Sequence, residues 1–221
     1  EASGDYSTAS GYNTTASGER STALGSGTLA SVIYSTAMGR STTASGTHST
    51  SMGRDTVASG DYSTSMGSGT TASGVVSTAM GDNTTASGDY STSMGYQTLA
   101  SGERSTAIGS GTEAIGSRSV AMGFGTEASG LVSTAMGYLT EASGDRSTAM
   151  GRDTIASGTY STAMGYGTIS ASNSSTSLGK FNSANQVADN TLLVIGNGVD
   201  DANRSDAFHV DTSGNTTASG D

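Results

Sequence analysis

The composition of this 221-residue sequence argues against an enzyme built around one thick apolar core. Leu, Ile, Val and Phe together number only 27, and the net charge is −10, a combination that is typical of disordered chains. Because cysteine is absent, the sequence excludes a disulfide framework and thiolate metal sites, but it leaves the compartment open. With eight Arg and one Lys, the chain also lacks the basic stripe that binding to nucleic acid requires.

Membrane and export signals are also missing from the sequence. It contains neither a long apolar run of about 18 residues nor a charged and then apolar leader. We therefore expect these residues not to insert directly into a membrane, and we expect any anchor to lie outside them.

A repeat of 14 residues dominates the first four fifths of the sequence. Gly recurs at every seventh position from Gly4 to Gly179 with two exceptions, and two variable residues follow nearly every member of this column. Each repeat has two unequal halves. One half has the pattern S-T-A-M-G, as in residues 35–39, and the other has the pattern T-x-A-S-G, as in residues 84–88.

The glycine column excludes the other repetitive structures. Each Gly costs about 1 kcal/mol inside a helix, so a heptad coiled coil cannot hold one in nearly every heptad. Collagen needs Gly at every third position, and calcium-binding rolls have a different period. The remaining architecture is a parallel β-solenoid in which each coil supplies a five-residue strand, a turn and another short strand.

Side chains alternate across a strand, and this alternation predicts what lies inside the solenoid. In S-T-A-M-G the Ser, Ala and Gly share one face, and in T-x-A-S-G the corresponding set is Thr, Ala and Gly. We expect these small residues to fill a thin interior in which the hydroxyls bond to neighbouring coils or turns. The column serines are accordingly interpreted as structural, not catalytic.

The outward face of the first half carries an apolar stripe that includes all nine Met of the sequence. Such a stripe along a soluble solenoid should be covered, and nothing else in the repeat can cover it. We therefore predict that it is the seam of a homo-oligomer, and we favour a cyclic homotrimer. The residues of this predicted trimer seam, called the Met stripe below, are Leu24, Met38, Met52, Met66, Met80, Met94, Ile108, Met122, Met136, Met150, Met164 and Leu178.

Over residues 1–179 the repeat resembles the head domains of trimeric autotransporter adhesins, the YadA-like left-handed parallel β-roll. Residues 119–123, followed by Thr126, Ala128 and Gly130, match the family pattern N-S-V-A-I-G-x-x-S-x-A-x-G. Departures are the missing Asn and a Thr-Ala-Met core where the family more often has Val-Ala-Ile. The resemblance implies a left-handed roll, a homotrimer, display on the cell surface and adhesion.

The repeats also resemble segments of phage tail fibres. Residues 207–215 are similar to the short hairpin modules that precede chaperone domains in such fibres. From Lys180 the register of the repeat fails, and an apolar strand at 192–195, a tight turn at 196–198 and a second strand at 207–210 are predicted. The predicted domains are a β-roll over 1–179, a β-hairpin insertion or neck-like module over 180–215, and the start of a resumed repeat over 216–221.

The variable turn residues carry most of the chemical diversity of the chain. Stacked one coil apart, those that follow T-x-A-S-G would form an exposed ladder of rings and cations, residue types that interfaces favour. Two interpretations stay open: a repetitive binding surface for a host surface protein, glycan or extracellular matrix, and ordinary solvated turns or contacts between subunits. The candidate ligand-contact residues are Tyr6, Arg20, Tyr34, His48, Tyr62, Tyr90, Arg104, Arg118, Arg146 and Tyr160.

Catalytic and metal-binding patterns find little support. No motif around His48 or His209 indicates a nucleophile with its base, so we predict neither catalysis nor a cofactor. The acidic residues Asp200, Asp201 and Asp206 are interpreted as a solvated loop in preference to a calcium site.

The sequence therefore predicts an extracellular, homotrimeric adhesin head or rod at the cell surface. The alternative is a phage tail fibre or a receptor-binding segment of a virion fibre, and flanking sequence would distinguish the two. A third hypothesis is ice binding, because the outward Thr column from Thr22 to Thr106 is regular. A monomeric mass in solution would favour this third hypothesis.

Overall fold

The computed structural model describes residues 1–184 and 190–219, and all regular elements in them are β-strands. Among these residues, no helix is long and apolar enough to cross a bilayer. The chain forms two compact units, residues 1–111 and 112–221.

The first unit is a parallel β-solenoid in which long and short strands alternate along the chain. The long strands form one sheet and the short strands form another. The long strands are β1 (Thr8–Tyr12), β3 (Thr22–Ser26), β5 (Thr36–Arg40), β7 (Thr50–Arg54), β9 (Thr64–Ser68), β11 (Thr78–Asp82), β13 (Thr92–Tyr96) and β15 (Thr106–Ser110). The short strands are β2 (Thr15–Ala16), β4 (Leu29–Ala30), β6 (Thr43–Ala44), β8 (Val57–Ala58), β10 (Thr71–Ala72), β12 (Thr85–Ala86) and β14 (Leu99–Ala100).

The second unit has the same pattern of long and short strands and ends in a module of three strands, which are joined to each other by two antiparallel pairings. Its short strands are β16 (Glu113–Ala114), β18 (Glu127–Ala128), β20 (Glu141–Ala142), β22 (Ile155–Ala156) and β24 (Ile169–Ser170). Its long strands are β17 (Val120–Phe124), β19 (Thr134–Tyr138), β21 (Thr148–Arg152), β23 (Thr162–Tyr166) and β25 (Thr176–Lys180). The end module contains β26 (Thr191–Asn197), β27 (Asp206–Asp211) and β28 (Thr216–Ala218).

Strands one coil apart pair in parallel and in register, so like residues lie side by side. In β5 and β7, Thr36 pairs with Thr50 and Met38 pairs with Met52. The same 14-residue step relates Met136 to Met150 in β19 and β21. The sequence period therefore corresponds to one turn of the solenoid, as predicted.

The interior of each coil contains only small side chains. Ser35, Ala37, Thr42 and Ala44 are all fully buried, and the alanines of successive coils form apolar clusters. This confirms the predicted inward set, with one exception. The Gly that ends S-T-A-M-G is exposed, as at Gly39, so its predicted place in the interior is wrong.

Backbone conformation explains the exception. Gly53, at the same place in β7, has a φ of +123°, and a Cβ there would lie 2.1 Å from the carbonyl oxygen of Gly67 in the next coil. Glycine is therefore needed where two coils approach each other, not for space inside the roll. The departure from an extended φ also ends the regular alternation of faces.

The interior hydroxyls bond to one another only in some coils. Where Ser replaces the first Ala, as at Ser51, its hydroxyl lies 2.7 Å from that of Thr56 and also donates to the Thr56 carbonyl at 3.0 Å. Where Ala stands there, the hydroxyls of Thr42 and Thr84 are buried without a hydrogen-bond partner among the described residues. The predicted bonding to neighbouring coils or turns is therefore wrong at these threonines, where the Ala methyl group stands in place of a second hydroxyl.

The end module joins the long-strand sheet. β26 pairs in parallel with β25, where Leu178 lies beside Ile195 and Gly179 beside Gly196. β27 and β28 then pair antiparallel. The two predicted strands are confirmed, but the tight turn at 196–198 is wrong because Gly196 and Asn197 belong to β26.

Residues 216–218 form β28, whose antiparallel pairing with β27 differs from the parallel pairing of the roll strands. Within the described residues this strand belongs to the end module. The start of a resumed repeat over residues 216–221 stays a prediction, and its last two positions, 220 and 221, lie outside the described residues.

Among the described residues, β24 is the last strand of the short-strand sheet, and Asn182 caps its edge. The buried Asn182 side chain accepts a hydrogen bond from the Ile169 N–H at 2.8 Å and donates to the Ile169 carbonyl at 2.9 Å. One side-chain amide thus makes the pair of hydrogen bonds with Ile169 that the backbone of a paired strand would make. Arg204 reinforces this end because it donates to the Gly167 carbonyl at 2.7 Å and to the Asn182 carbonyl at 3.1 Å.

We expect Gly53→Ala to destabilise the roll by more than about 3 kcal/mol, because the new methyl group meets backbone atoms that cannot move independently. Gly111→Ala is the matched control: its φ is +59°, but a Cβ there meets nothing within 4 Å. This control should cost about 1–2 kcal/mol from its backbone conformation alone. Thermal unfolding followed by circular dichroism measures both, and equal costs would contradict the close-approach explanation.

We expect Asn182→Ala to cost about 2–4 kcal/mol, because it removes both hydrogen bonds between the buried Asn182 amide and the Ile169 backbone. Asn173→Ala removes a similar but exposed bond, in which Asn173 Oδ1 accepts from the Thr159 N–H at 3.2 Å, and should cost less than about 1 kcal/mol. Denaturant unfolding compares the two variants. A cost at Asn182 no greater than at Asn173 would show that the cap is dispensable.

Candidate functional site

The residues with most chemical diversity lie in the turn that follows T-x-A-S-G, called the ladder turn below. The turn closes through a hydrogen bond from the Ser49 N–H to the Gly46 carbonyl, at 3.2 Å. Its third residue, such as His48 with a φ of +58°, has a left-handed conformation. A second bond, from the His48 N–H to the Ile33 carbonyl at 3.1 Å, ties each turn to the turn one coil earlier. Side chains at this position are therefore held one above another.

In the first unit these side chains form the predicted ladder. The Arg20 guanidinium carbon lies 5.7 Å from the Tyr6 ring centroid and 5.3 Å from that of Tyr34. His48 is stacked between Tyr34 and Tyr62, with centroids 4.7 and 4.9 Å apart. The five residues therefore make one uninterrupted series of rings and cations.

Val76 interrupts this series. On its far side the Arg104 guanidinium carbon lies 5.4 Å from the Tyr90 ring centroid, and Arg104 pairs with Glu103 at 2.8 Å. Val76 has the same left-handed conformation, with a φ of +57°. A β-branched residue is a conformational outlier there.

In the second unit the ladder is shorter. Arg146 lies 5.2 Å from the Tyr160 ring centroid and donates a hydrogen bond of 3.0 Å to the Tyr160 hydroxyl. Arg118 occupies the same turn position, with a φ of +59°, but contacts no aromatic ring in the described part of this unit. Val132 occupies the ladder turn between those of Arg118 and Arg146.

The composition of the ladder turn differs from what its backbone favours. The other turn, which follows S-T-A-M-G, has a similar left-handed φ and mostly contains Gly, Asn or Asp, as at Gly27, Asp55 and Asn83. The ladder turn contains none of these three types at the corresponding position. A left-handed conformation costs about 1–2 kcal/mol for other residue types. The large side chains of the ladder turn therefore occupy this position at a cost in conformational energy.

A second aromatic series was not predicted from the sequence. Phe124 stacks on Tyr138 with centroids 5.1 Å apart, and Arg152 lies 5.3 Å from the Tyr138 centroid and 5.1 Å from that of Tyr166. These side chains lie two positions after members of the Met stripe, at the last residue of each long strand. Their 14-residue spacing after each Met-Gly pair was the signal that could have identified them.

The Met stripe lies on the outward face of the long strands in each unit. Most members are half-buried, while Met38, Met122 and Met164 are 37–38 % exposed. Parallel pairing brings Met66 next to Met80 and Met80 next to Met94. The structure thus places the predicted seam residues side by side, and their contact with other subunits stays a prediction.

Carboxylates in the turns have structural partners. Asp61 Oδ1 accepts a hydrogen bond from the Thr47 N–H at 2.8 Å, and Asp89 Oδ1 accepts one from the Val75 N–H at 2.9 Å. Each acid therefore satisfies a backbone group of the preceding coil. In the end module, hydrogen bonds from Asn203 and Asn215 lower the pKa of Asp200 and Asp211, respectively.

The polar groups of the end module line an open cleft. His209 Nε2 lies 2.8 Å from the Thr191 hydroxyl, and Asp206 Oδ1 accepts a hydrogen bond from the Ser183 N–H at 2.7 Å. Asp201 pairs with Arg204. No group of three acidic or histidine residues in the described part of the chain is placed to hold a metal ion.

Comparison with known proteins identifies the repeat. The model of the YadA head domain repeat (2 copies) matches residues 2–28, 33–56, 58–84, 72–98, 86–112, 100–126, 114–140, 128–154, 142–168 and 156–182. Among curated proteins, none gives a significant match. The family matches cover most of the chain and coincide with its coils of long and short strands, and the chain therefore belongs to the YadA head family, a family of surface-exposed adhesins.

Proposed function

We propose that this chain is the head or rod of a homotrimeric adhesin, that it is displayed outside the cell, and that it attaches to a host surface through its ladder turns without catalysis. Membership in the YadA head family supports the adhesive role. The composition of the ladder turn supports its role as the contact surface. Tyr, Arg and His occupy a conformation in which Gly or Asn would be more stable, so their side chains serve a purpose other than forming the turn.

The ladder turns suit attachment for a physical reason. Their rings and guanidinium groups are held by stacking, so less conformational entropy is lost when a partner binds. Tyr and Arg are also the residue types that dominate interface energetics. Repetition along the roll lets several weak contacts act together on an extended partner.

The Met stripe supports assembly into a trimer. At the repeated positions, no side chain inside a coil is larger than that of threonine, as at Thr42. Little apolar area is therefore buried within one chain. Half-exposed methionines in register give each unit an apolar surface that a second chain can cover. A threefold axis along the roll would bring three such surfaces together.

We expect the wild-type chain to have three times its monomer mass of 21.7 kDa when measured by light scattering or sedimentation. The double variant Met80→Glu and Met94→Glu should be monomeric, because two charges would be buried in the seam. Thr71→Glu with Thr85→Glu is the matched control on the outward face of the short strands, where Glu127 and Glu141 already occupy the equivalent position. A monomeric wild-type chain would contradict the trimer and favour the ice-binding hypothesis.

We expect Tyr34→Asn combined with Tyr62→Asn to weaken attachment to immobilised extracellular-matrix proteins or glycans at least about tenfold. Thermal stability should change little, because Asn suits the left-handed turn and offsets the lost stacking. Ser41→Asn, in the other turn, is the control and should bind like the wild type. Equal binding by all three proteins would show that the ladder turns are not the contact surface.

A further inference from the structure

The interruption at Val76 leaves a gap between two tyrosine rings. Tyr62 and Tyr90 occupy the ladder position two coils apart, with Val76 between them. Since coils are spaced by about 4.8 Å, the two rings are separated by about 10 Å. Valine has no ring or guanidinium group to fill this distance, and it forms only the floor of the gap.

The chain itself shows what fits between two such rings. Tyr6 and Tyr34 are also two coils apart, and the Arg20 guanidinium lies between them at 5.7 and 5.3 Å from their centroids. His48 fills the next interval at 4.7 and 4.9 Å. A gap of two coils therefore accommodates one planar group in contact with both rings.

Solvent exposure indicates which ring faces are uncovered. Tyr34, covered on both faces, is 41 % exposed, whereas Tyr62 and Tyr90 are 58 % and 53 % exposed. The face of Tyr62 on the side away from Val76 stacks on His48, and the face of Tyr90 on the side away from Val76 lies against Arg104. We attribute the additional exposed area to the two ring faces on the side of Val76, which is itself 44 % exposed.

The charges around the gap favour a cation. The faces of aromatic rings attract positive charge, and Asp61 and Asp89 stand immediately before Tyr62 and Tyr90 in the same turns. Arg104, which contacts the other face of Tyr90, is paired with Glu103. The net charge of −10 also steers basic partners toward the chain.

We propose that Tyr62, Val76 and Tyr90 form a slot that binds the arginine side chain of a partner protein. The bound guanidinium takes the place that Arg20 has between Tyr6 and Tyr34, and its edge is directed toward the carboxylates of the flanking turns. The slot specifies the chemistry of one contact in the attachment proposed above, and it rests on that proposal for its biological role.

The second unit provides an internal comparison. Val132 also occupies a ladder turn, with a φ of +58°, but its neighbours along the column are Arg118 and Arg146. A cation at Val132 would meet like charge and no ring on either side. Arginine binding is therefore specific to the tyrosine-flanked gap.

The test uses the full chain with fluorinated tyrosine, observed by fluorine NMR, and acetyl-Gly-Arg-Gly-amide as the probe. The probe should shift the signals of Tyr62 and Tyr90, which are assigned by single substitutions to Phe. The matched peptide with neutral citrulline in place of arginine should bind about five- to thirtyfold more weakly, the factor that two exposed cation–π contacts supply.

Val76→Arg fills the slot with the chain's own side chain, and this variant should lose probe binding by the same factor. Its backbone conformation is the one that Arg20 and Arg104 already adopt, so the variant should fold. Val132→Arg is the control and should bind the probe like the wild type. Unchanged binding to Val76→Arg, or equal binding of the citrulline peptide, would overturn the slot.

Two further measurements separate this proposal from the proposed function. A peptide with Phe in place of Arg that binds more tightly than the arginine probe would overturn the choice of a cation in favour of a neutral ring. Attachment to matrix proteins is measured in parallel with wild type and Val76→Arg. Attachment without probe binding overturns the slot alone, and probe binding without attachment to any surface overturns the adhesive function alone.

Discussion

The close approach of successive coils is the constraint on which the other features depend. At Gly53 the carbonyl oxygen of Gly67 occupies the space that a Cβ would need. Such contact fixes the register between coils, and a slip of one residue would turn Met52 into an interior that holds only small side chains. Stacked methionines and stacked turn residues are therefore two results of the same backbone packing.

A thin interior changes where stability and function reside. Ala37 and Ala44 fill the roll so tightly that no larger apolar side chain can be buried in a coil, and the large ones are placed outside. Their packing energy is then available only through contact beyond the coil, which links stability to assembly under the proposed function. The side chains of the ladder turns do not have to fit into the interior of a coil. The same turn backbone therefore accepts Tyr34, His48 or Val76.

Most of the fold could be predicted from the sequence, because the spacing of residues in a solenoid determines which of them meet. The ladder contacts of Arg20 and His48 followed from the 14-residue period alone. The exposed face of Gly39 could not be predicted, because alternation holds only while φ is extended. The prediction of a turn at 196–198 was wrong because Gly196 pairs in register with Gly179. This long-range pairing overrides the local preference for a turn. The cap made by Asn182 depends on which backbone groups are left unpaired, which only the structure reveals.

Register between identical coils has a consequence for how such a surface changes over generations. A coil contacts chiefly the coil before and the coil after it, so insertion or deletion of fourteen residues preserves every pairing that surrounds it. One duplication adds a rung to the ladder and a methionine to the stripe together. Under the proposed function, the length of the binding surface and the area of the subunit seam therefore increase in proportion, and rearranged coils would change what the surface binds without changing the fold.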